Sequence, residues 1–284
     1  MVMPFMLQVD LESWVSKLKL LHNRCEFCLR HMRSNLIVIL AVIALYAVME
    51  CSAFAADAGS ATPVVVELFT SEGCSSCPPA DALLRAMDST LSIPGVHLIV
   101  MEEHVDYWDD QGWKDPFSSH EVTLRQVDYT QRLHVREPYT PEMVVDGAYE
   151  FTGNDRTRAG EALKKAVTLP TVSVRISSIA VENGKLRAHI EADSVPEKAD
   201  VMVALVLDHA ESQVLRGENG GHHLEHVAVL TNLSKVGKAE KGRPFSKDIS
   251  LGSKSLTQPC RLIAFLQESG QGKIVGAAVE PVSK

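Results

Sequence analysis

The sequence predicts an α/β domain with the element order βαβαββα and a helical insertion, followed by a small antiparallel β-sandwich. Three observations predict this fold class: a β-branched run that leads through a turn into a helical pattern, a strand–turn–strand pattern after a proline, and a change to alternating patterns beyond residue 170. The chain has 284 residues and is 45% hydrophobic, which is enough for two domains of ordinary size.

The first predicted domain covers residues 63–169. Residues 64–69 are a β-branched run bounded by a proline and by turn residues, which predicts a buried strand, and Pro78 and Pro79 then suit the first turn of a helix. The other elements predicted for this domain are, in order, a strand at 96–101, a helix at 118–135, a hairpin of strands at 143–145 and 148–151, and a helix at 156–167.

The second predicted domain covers residues 170–284. Its pattern alternates apolar and polar residues, and Asn183 and Gly184 form a strong hairpin signal between two such runs. Alternation is typical of strands with one buried face, so a small antiparallel β-sandwich is predicted. The further strands predicted here are 200–208, 224–230, 261–266 and 273–279.

An apolar run near the N-terminus predicts export. Residues 36–49 are wholly apolar, follow Arg30 and Arg33, and precede small residues, which is the layout of a secretory signal peptide. The run has 14 residues, whereas a membrane-spanning helix needs about 20, so no stable membrane insertion is expected once the signal is removed. We therefore predict that residues 1–56 are an N-terminal extension and signal peptide, with Met32 as a candidate start, and that the mature protein is periplasmic or secreted.

The net charge argues against a nucleic-acid partner, and the number of cysteines argues against a disulfide scaffold. The formal net charge is −8 at pH 7, and the Lys and Arg residues form no cluster along the sequence. Proteins bind phosphate backbones with clustered cations that release counterions, so no nucleic-acid partner is expected. Six cysteines are too few for a disulfide scaffold in a chain of this length, and each one is interpreted from its neighbours.

Cys74 and Cys77 carry the predicted chemistry. They are separated by two residues at the start of the first predicted helix, where unsatisfied N–H groups favour thiolate over thiol and where Cys74 can be exposed while Cys77 is covered. Because only a thiolate attacks a disulfide, we assign Cys74 as the catalytic nucleophile and Cys77 as the resolving thiol. Glu72 opposes the effect of the helix N-terminus, since a nearby anion raises the pKa of a thiol and disfavours the thiolate. Whether the pair oxidises or reduces its substrates therefore stays open.

Two other interpretations of the cysteine pair stay open. A zinc site would need two further ligands at matching spacing, and no second cysteine pair or compact histidine pair follows in the first predicted domain. A purely structural disulfide is the second, although so short a loop adds little stabilisation through chain entropy. No cofactor is expected, and the predicted partners are protein thiols or disulfides together with a redox partner protein.

Thr140, Pro141 and Trp108 are predicted to bind substrate. A cis proline directly before a strand would bring the backbone of its neighbour beside the cysteine pair, where it can hold a substrate strand. Trp108 lies in an aromatic segment that either covers the disulfide or packs an inserted helix onto the sheet. Packing is the preferred interpretation, because aromatic residues dominate core burial.

A histidine-rich segment at 216–226 is the candidate for a metal site, because His and Glu are ligands for zinc or copper. Strand alternation, however, places His222 and His226 on one face and His223 on the other, which divides the cluster. We therefore predict no metal-binding residues. His104, at the end of the second strand, is interpreted as a structural histidine rather than a proton shuttle.

Four segments carry a resemblance to known families. The strand–loop–helix around Cys74 and Cys77 and the segment TPEMVVDG at 140–147 resemble the thioredoxin superfamily, in which a cis proline lies against the active-site disulfide. The sequence is closer still to an exported bacterial family of unknown function, number 1223, in VELFTSEGCSSCPPAD at 66–81, HVDYWDDQGWKDPFSS at 104–119, YTPEMVVDG at 139–147 and RGENGGHHLEH at 216–226. This resemblance implies a thioredoxin-like first domain and a β-rich second one, but no substrate.

These observations predict an exported thiol:disulfide oxidoreductase-like protein that exchanges disulfides with protein substrates. Two alternatives belong to other classes. In one, the two thiolates bind a soft metal such as copper, with His104 or the histidine-rich segment at 216–226 as further candidate ligands. In the other, the protein is a non-catalytic thioredoxin-fold binding module whose disulfide does not turn over.

Overall fold

Eleven strands and three α-helices make up residues 61–252 and 254–282, which are the residues that the computed structural model describes. The helices are α1 (Pro78–Ser89), α2 (His120–Arg132) and α3 (Arg156–Ala166). The strands are β1 (Thr62–Thr70), β2 (Val96–His104), β3 (Glu142–Val145), β4 (Tyr149–Thr152), β5 (Val174–Glu182), β6 (Lys185–Ala192), β7 (Ala199–Gln213), β8 (His223–Ala239), β9 (Phe245–Gly252), β10 (Cys260–Glu268) and β11 (Ile274–Pro281). A short 3-10 helix, Lys254–Thr257, precedes β10.

The predicted fold class is wrong. The protein is mostly β, and its main sheet has eight strands in the mixed order β11-β10-β7-β8-β2-β1-β3-β4, so four strands expected in a separate sandwich extend the sheet of the first half. The junction is a parallel contact between β2 and β8, with Glu102 opposite Val229. Strands β5, β6 and β9 form a second, three-stranded sheet. Whether residues 63–169 and 170–284 fold as independent domains stays a prediction.

The burial of strand β7 on both faces explains why it belongs to the main sheet and not to a separate sandwich. Along β7, Val203 and Leu205 face the core that is shared with the three-stranded sheet, while Ala204 and Val206 face the core that is shared with β1 and α1. Successive side chains of a strand point to opposite faces, so a strand that is apolar at every position can be buried between two layers. Unlike the predicted sandwich strands, β7 is therefore covered on both faces.

Strand β1 lies near the centre of the main sheet and positions the site. Its residues from Val64 to Thr70 are all buried, as expected for a strand with neighbours on both edges and layers on both faces. It pairs in parallel with β2 and antiparallel with β3, so the ends of β1 and β2 and the start of β3 meet at one edge of the sheet. The loop that leaves β1 leads directly into α1, where Pro78 occupies the first helical position.

The predicted signal peptide lies outside the described residues, as do Cys25, Cys28 and Cys51. Within the described part of the chain, no helix has both the length and the apolar character that crossing a membrane requires.

Candidate functional site

Cys74 and Cys77 form a disulfide at the N-terminus of α1. Their Cα atoms are 5.5 Å apart, and Cys77 is the residue immediately before the helix. Ser75 and Ser76 are exposed, but Cys74 is only 1% exposed and Cys77 is fully buried. The expected difference in exposure between the two cysteines is therefore absent, and a substrate can reach Cys74 only if its surroundings move.

The loop at 214–222, between β7 and β8, covers the disulfide. The side-chain amide of Asn219 donates hydrogen bonds to the carbonyl oxygens of Glu72, at 2.8 Å, and Cys74, at 3.0 Å. The carboxylate of Glu218 accepts a hydrogen bond of 3.0 Å from the backbone N–H of Ser75. Because Asn219 is itself buried, these bonds hold the loop closely against the backbone of the cysteine segment.

The three predicted substrate-binding residues lie beside the disulfide. The peptide bond between Thr140 and Pro141 is cis, and the carbonyl oxygen of Thr140 is 3.8 Å from Sγ of Cys74. The indole N–H of Trp108 donates a 2.8 Å hydrogen bond to Oγ1 of Thr140. A Cβ atom at Gly73 would lie 2.9 Å from Cβ of Trp108, so the close approach of these two segments requires a glycine at position 73.

A cluster of buried ionisable groups extends from Glu72 into the sheet. The imidazole of His226 lies between two carboxylates, with Nδ1 2.6 Å from Oε1 of Glu102 and Nε2 3.3 Å from Oε1 of Glu72. Trp113 donates a further hydrogen bond of 2.7 Å to Glu72, and Ser212 donates another to the same carboxylate. Glu72, Glu102 and His226 are almost fully buried, so these partners replace the water that the charges would otherwise need.

His104 joins the same cluster from the end of β2. Its Nδ1 is 2.8 Å from Oδ2 of Asp115, and the same oxygen accepts a hydrogen bond from the backbone N–H of Glu72. Its Nε2 has no hydrogen-bond partner among the described residues, although it lies 3.8 Å from Oε1 of Glu102. We call these five residues the buried His–Glu cluster: Glu72, Glu102, His104, Asp115 and His226.

Burial and charge shift two pKa values in this region. Burial alone would lower the pKa of His226, but the carboxylates of Glu102 and Glu72 outweigh this effect and raise it to about 10. Burial, reinforced by the negative charge of Glu102, raises the pKa of Asp81 to about 7. Asp81 accepts a hydrogen bond of 2.7 Å from Thr70 and lies one turn after Cys77, so a carboxyl that titrates near neutral pH is close in sequence to the disulfide.

Residues 65–267 match the family described as "Protein of unknown function (DUF1223)". The chain belongs to this family. The predicted resemblance to family number 1223 is therefore confirmed. Among proteins with curated functions, none matches the chain at a significant level.

One solved structure is similar to this DUF1223 protein over most of its length. It is protein AGR_C_4864 from Agrobacterium tumefaciens, with 27% identity and a TM-score of 0.62 over 80% of this chain and 97% of that chain. The sporulation control protein Spo0M from Bacillus subtilis is 9% identical, with a TM-score of 0.28 over 39% of this chain and 47% of that one. A beta-glucosidase from Kluyveromyces marxianus is 14% identical, with a TM-score of 0.22 over 55% of this chain and 17% of that one. The last two are too dissimilar to carry an argument.

The four segments that carry the resemblance to the DUF1223 family meet at this one site. The segments at 66–81 and 139–147 supply the disulfide and the cis peptide, while 104–119 supplies Trp108 and Asp115. The segment at 216–226 supplies the loop that covers Cys74 and the histidine of the buried cluster. Residues up to 154 positions apart in the sequence thus build a single constellation around the disulfide.

Several residues of the site were not predicted, or were assigned another role. Glu102 and Asn219 were not singled out, and His226 was interpreted with its exposed neighbours rather than with residues of β2. One signal was present: the charged residues from Glu102 to His104 directly continue the apolar run of β2. A charged run that remains buried in a strand requires partners, and such partners mark a functional or structural cluster.

Glu142, directly after the cis proline, gives a prediction about pH. Burial raises its pKa to about 7 from an ordinary value of 4.5, and the 2.6 Å hydrogen bond from Gln126 offsets only part of this shift. Between about pH 4.5 and 7 the native carboxyl keeps a proton that the unfolded chain has released, so stability falls as the pH rises through this window. We expect Glu142→Gln to be more stable than the wild type at pH 8 by about 1–3 kcal/mol, and equally stable near pH 4.5.

Urea denaturation at the two pH values measures this difference. The substitution Glu161→Gln, at an exposed position on α3, is the matched control and should change stability at neither pH. A Glu142→Gln variant with the same pH dependence as the wild type would contradict the assignment.

Proposed function

We propose that this protein exchanges thiols and disulfides with protein substrates through Cys74 and Cys77. The observation that carries the proposal is the position of the disulfide: it lies at the N-terminus of α1 and against the carbonyl oxygen of Thr140, at the cis peptide bond. The positive end of a helix dipole favours the thiolate form of a cysteine that precedes it. In α1 it acts without free N–H donors, because the first two helical positions are prolines and the next two N–H groups bond to the carbonyl oxygen of Cys77. The backbone at Thr140, just before β3, offers a place where a substrate strand can lie beside the sulfur atoms.

In the reducing direction, the thiolate of Cys74 attacks one sulfur of a substrate disulfide. A mixed disulfide forms and the other substrate sulfur leaves as a thiolate. The thiolate of Cys77 then attacks Sγ of Cys74, which restores the disulfide and releases the second substrate thiolate. Two electrons pass from the protein to the substrate, and the reverse sequence oxidises a substrate dithiol.

A relationship to the thioredoxin superfamily is part of this proposal. It is supported by the CxxC sequence before a helix and by the cis proline beside it, and it concerns the active-site arrangement rather than the fold class of the whole chain. Export also belongs to the proposal, because disulfides form and persist outside the cytosol. The substrates and the redox partner would accordingly be exported proteins.

Reduction of insulin and reactivation of scrambled ribonuclease test the proposal with the purified protein. Cys74→Ser should reduce both activities to the uncatalysed rate, and Cys77→Ser should accumulate the mixed disulfide, because the resolving thiol is missing. Cys260→Ser, at a buried cysteine that begins β10, is the matched control and should retain activity. A wild type inactive in both assays, or an active Cys74→Ser variant, would contradict the proposal.

The burial of the disulfide favours a second candidate function. With Cys74 only 1% exposed beneath the loop at 214–222, the protein could serve as a binding module whose disulfide does not turn over. A redox titration separates the two candidates. A reduction potential below about −300 mV would favour the binding module, since such disulfides resist ordinary reductants.

A further inference from the structure

We propose that Glu102, His104 and His226 form a binding site for one divalent transition-metal cation, of which Zn²⁺ is the representative. This site goes beyond the proposed thiol exchange and uses none of its cysteines. It supplies two imidazole nitrogens and one carboxylate oxygen, a donor set that suits Zn²⁺ and its neighbours in the first transition row.

Two adjacent strands bring the three ligands together. Glu102 and His104 are two residues apart on β2 and therefore share one face, while His226 lies on the neighbouring strand β8. One ligand atom from each residue lies within 4.8 Å of the other two. All three side chains are buried within a central sheet, so the ligands are placed by rigid elements.

Each imidazole is held by an outer carboxylate through the nitrogen that points away from Glu102. Asp115 lies 2.8 Å from Nδ1 of His104, and Glu72 lies 3.3 Å from Nε2 of His226. The opposite nitrogens, Nε2 of His104 and Nδ1 of His226, both face Oε1 of Glu102, at 3.8 and 2.6 Å. Carboxylates that hold the distal nitrogen of a histidine and thereby fix its ring orientation are the usual outer partners of metal-binding histidines.

The unpartnered Nε2 of His104 distinguishes a metal site from a cluster of ion pairs. This side chain is 1% exposed, yet Nε2 has no hydrogen-bond partner among the described residues. Buried polar atoms are almost always paired, and a network of ion pairs alone leaves this one unexplained. A cation between Nε2, Oε1 of Glu102 and Nδ1 of His226 would satisfy it.

Charge and size are also compatible with a dication. The buried His–Glu cluster contains three carboxylates, those of Glu72, Glu102 and Asp115. A dication that displaces the proton between His226 and Glu102 would add one net positive charge beside them. Zn²⁺ bonds to nitrogen and oxygen are about 2.0–2.2 Å long, so a tetrahedral ion would move Oε1 of Glu102 and Nδ1 of His226 apart by about 1 Å. The Glu102 side chain must rotate to provide this distance, while its other oxygen accepts a 2.8 Å hydrogen bond from the backbone N–H of Val227.

Titration of the EDTA-treated, oxidised protein with Zn²⁺ and Co²⁺ tests the site. Calorimetry should show saturation at one cation per chain, and bound Co²⁺ should give the absorption of a low-coordinate site. The disulfide is kept intact, so the thiolates of Cys74 and Cys77 cannot bind the metal. A Cys74→Ser/Cys77→Ser double variant should bind equally well, so the metal site and the proposed thiol exchange can fail independently.

Variants identify the ligands. His226→Gln and His104→Gln should abolish stoichiometric binding, and Asp115→Asn should weaken it by about 10–100-fold, as expected for an outer partner. His223→Gln is the matched control, because His223 is an exposed histidine on the same strand as His226. Circular dichroism establishes whether each variant is folded.

X-ray absorption of the zinc-loaded wild type needs no variant. It should show two imidazole ligands and no sulfur. Absence of binding by the wild type, sulfur in the coordination sphere, or equal loss of binding in His223→Gln would overturn the proposal.

Discussion

Replacing Asn219 with alanine should make the Cys74–Cys77 disulfide about 10–100 times faster to reduce with a small thiol. Asn219 is 2% exposed, and its amide donates to the carbonyl oxygens of Glu72 and Cys74. Without this amide, the carbonyl oxygen of Glu72 lacks a partner while the loop is closed, which costs about 1–3 kcal/mol, whereas water pairs with it when the loop opens. The carbonyl oxygen of Cys74 keeps its 3.2 Å hydrogen bond from the backbone N–H of Cys77. Since every 1.4 kcal/mol is a factor of ten, the open fraction rises accordingly.

Stopped-flow reduction by dithiothreitol measures this rate. The substitution His222→Ala changes an exposed residue of the same loop and should leave the rate unchanged. Glu218→Gln removes a charge from an exposed hydrogen bond to Ser75 and should have a smaller effect than Asn219→Ala. If a folded Asn219→Ala variant is reduced at the wild-type rate, the loop does not control access to the sulfur atoms.

This loop connects the two candidate functions of the disulfide. An exchange protein needs a cover that opens when a substrate binds, whereas a binding module needs one that stays closed. The cover consists of a hairpin loop between two long strands, held at its tip by the amide of Asn219 and the carboxylate of Glu218. Loops that depend on a few hydrogen bonds open at lower free energy than the strands that carry them, so the arrangement is compatible with gated exchange.

The grouping around the disulfide was predictable because it depends on local order along the chain. Cys74 follows β1, Trp108 follows β2 and Pro141 precedes β3, and neighbouring strands bring these ends together at one edge of the sheet. A turn before a helix and a proline before a strand are visible in the sequence. The grouping of Cys74 with Thr140 and Trp108 needed no information about the second half of the chain.

The junction between β2 and β8 was not predictable in the same way. An alternating pattern indicates which face of a strand is buried, but not which strand it pairs with, and β8 alternates equally well in a separate sandwich. His226 and Glu102 are 124 positions apart, so their contact depends wholly on this pairing. The fold class and the buried His–Glu cluster were therefore missed for the same physical reason.

A second buried charge cluster holds α2 against the main sheet. The guanidinium of Arg125 lies 2.5 Å from Glu67 and 3.7 Å from Glu103, and both carboxylates are fully buried. Tyr129, one turn along α2, donates a 2.6 Å hydrogen bond to Glu67. Burial and the charge of Glu67 raise the pKa of Glu103 well above its ordinary value, while Arg125 acts in the opposite direction. Arg125 is thus the cation that makes two adjacent buried carboxyl groups tolerable.

Arg125→Leu should therefore destabilise the protein by about 3–5 kcal/mol, because removing one partner of a buried ion pair leaves an uncompensated charge in the interior. Urea denaturation measures the loss. Arg132→Leu is the matched control, since Arg132 is exposed at the end of the same helix, and it should change stability by no more than about 0.5 kcal/mol. Adding Glu67→Gln to Arg125→Leu removes the stranded charge and should restore part of the stability. Equal losses in Arg125→Leu and Arg132→Leu would show that packing of α2, rather than charge compensation, sets the stability of this contact.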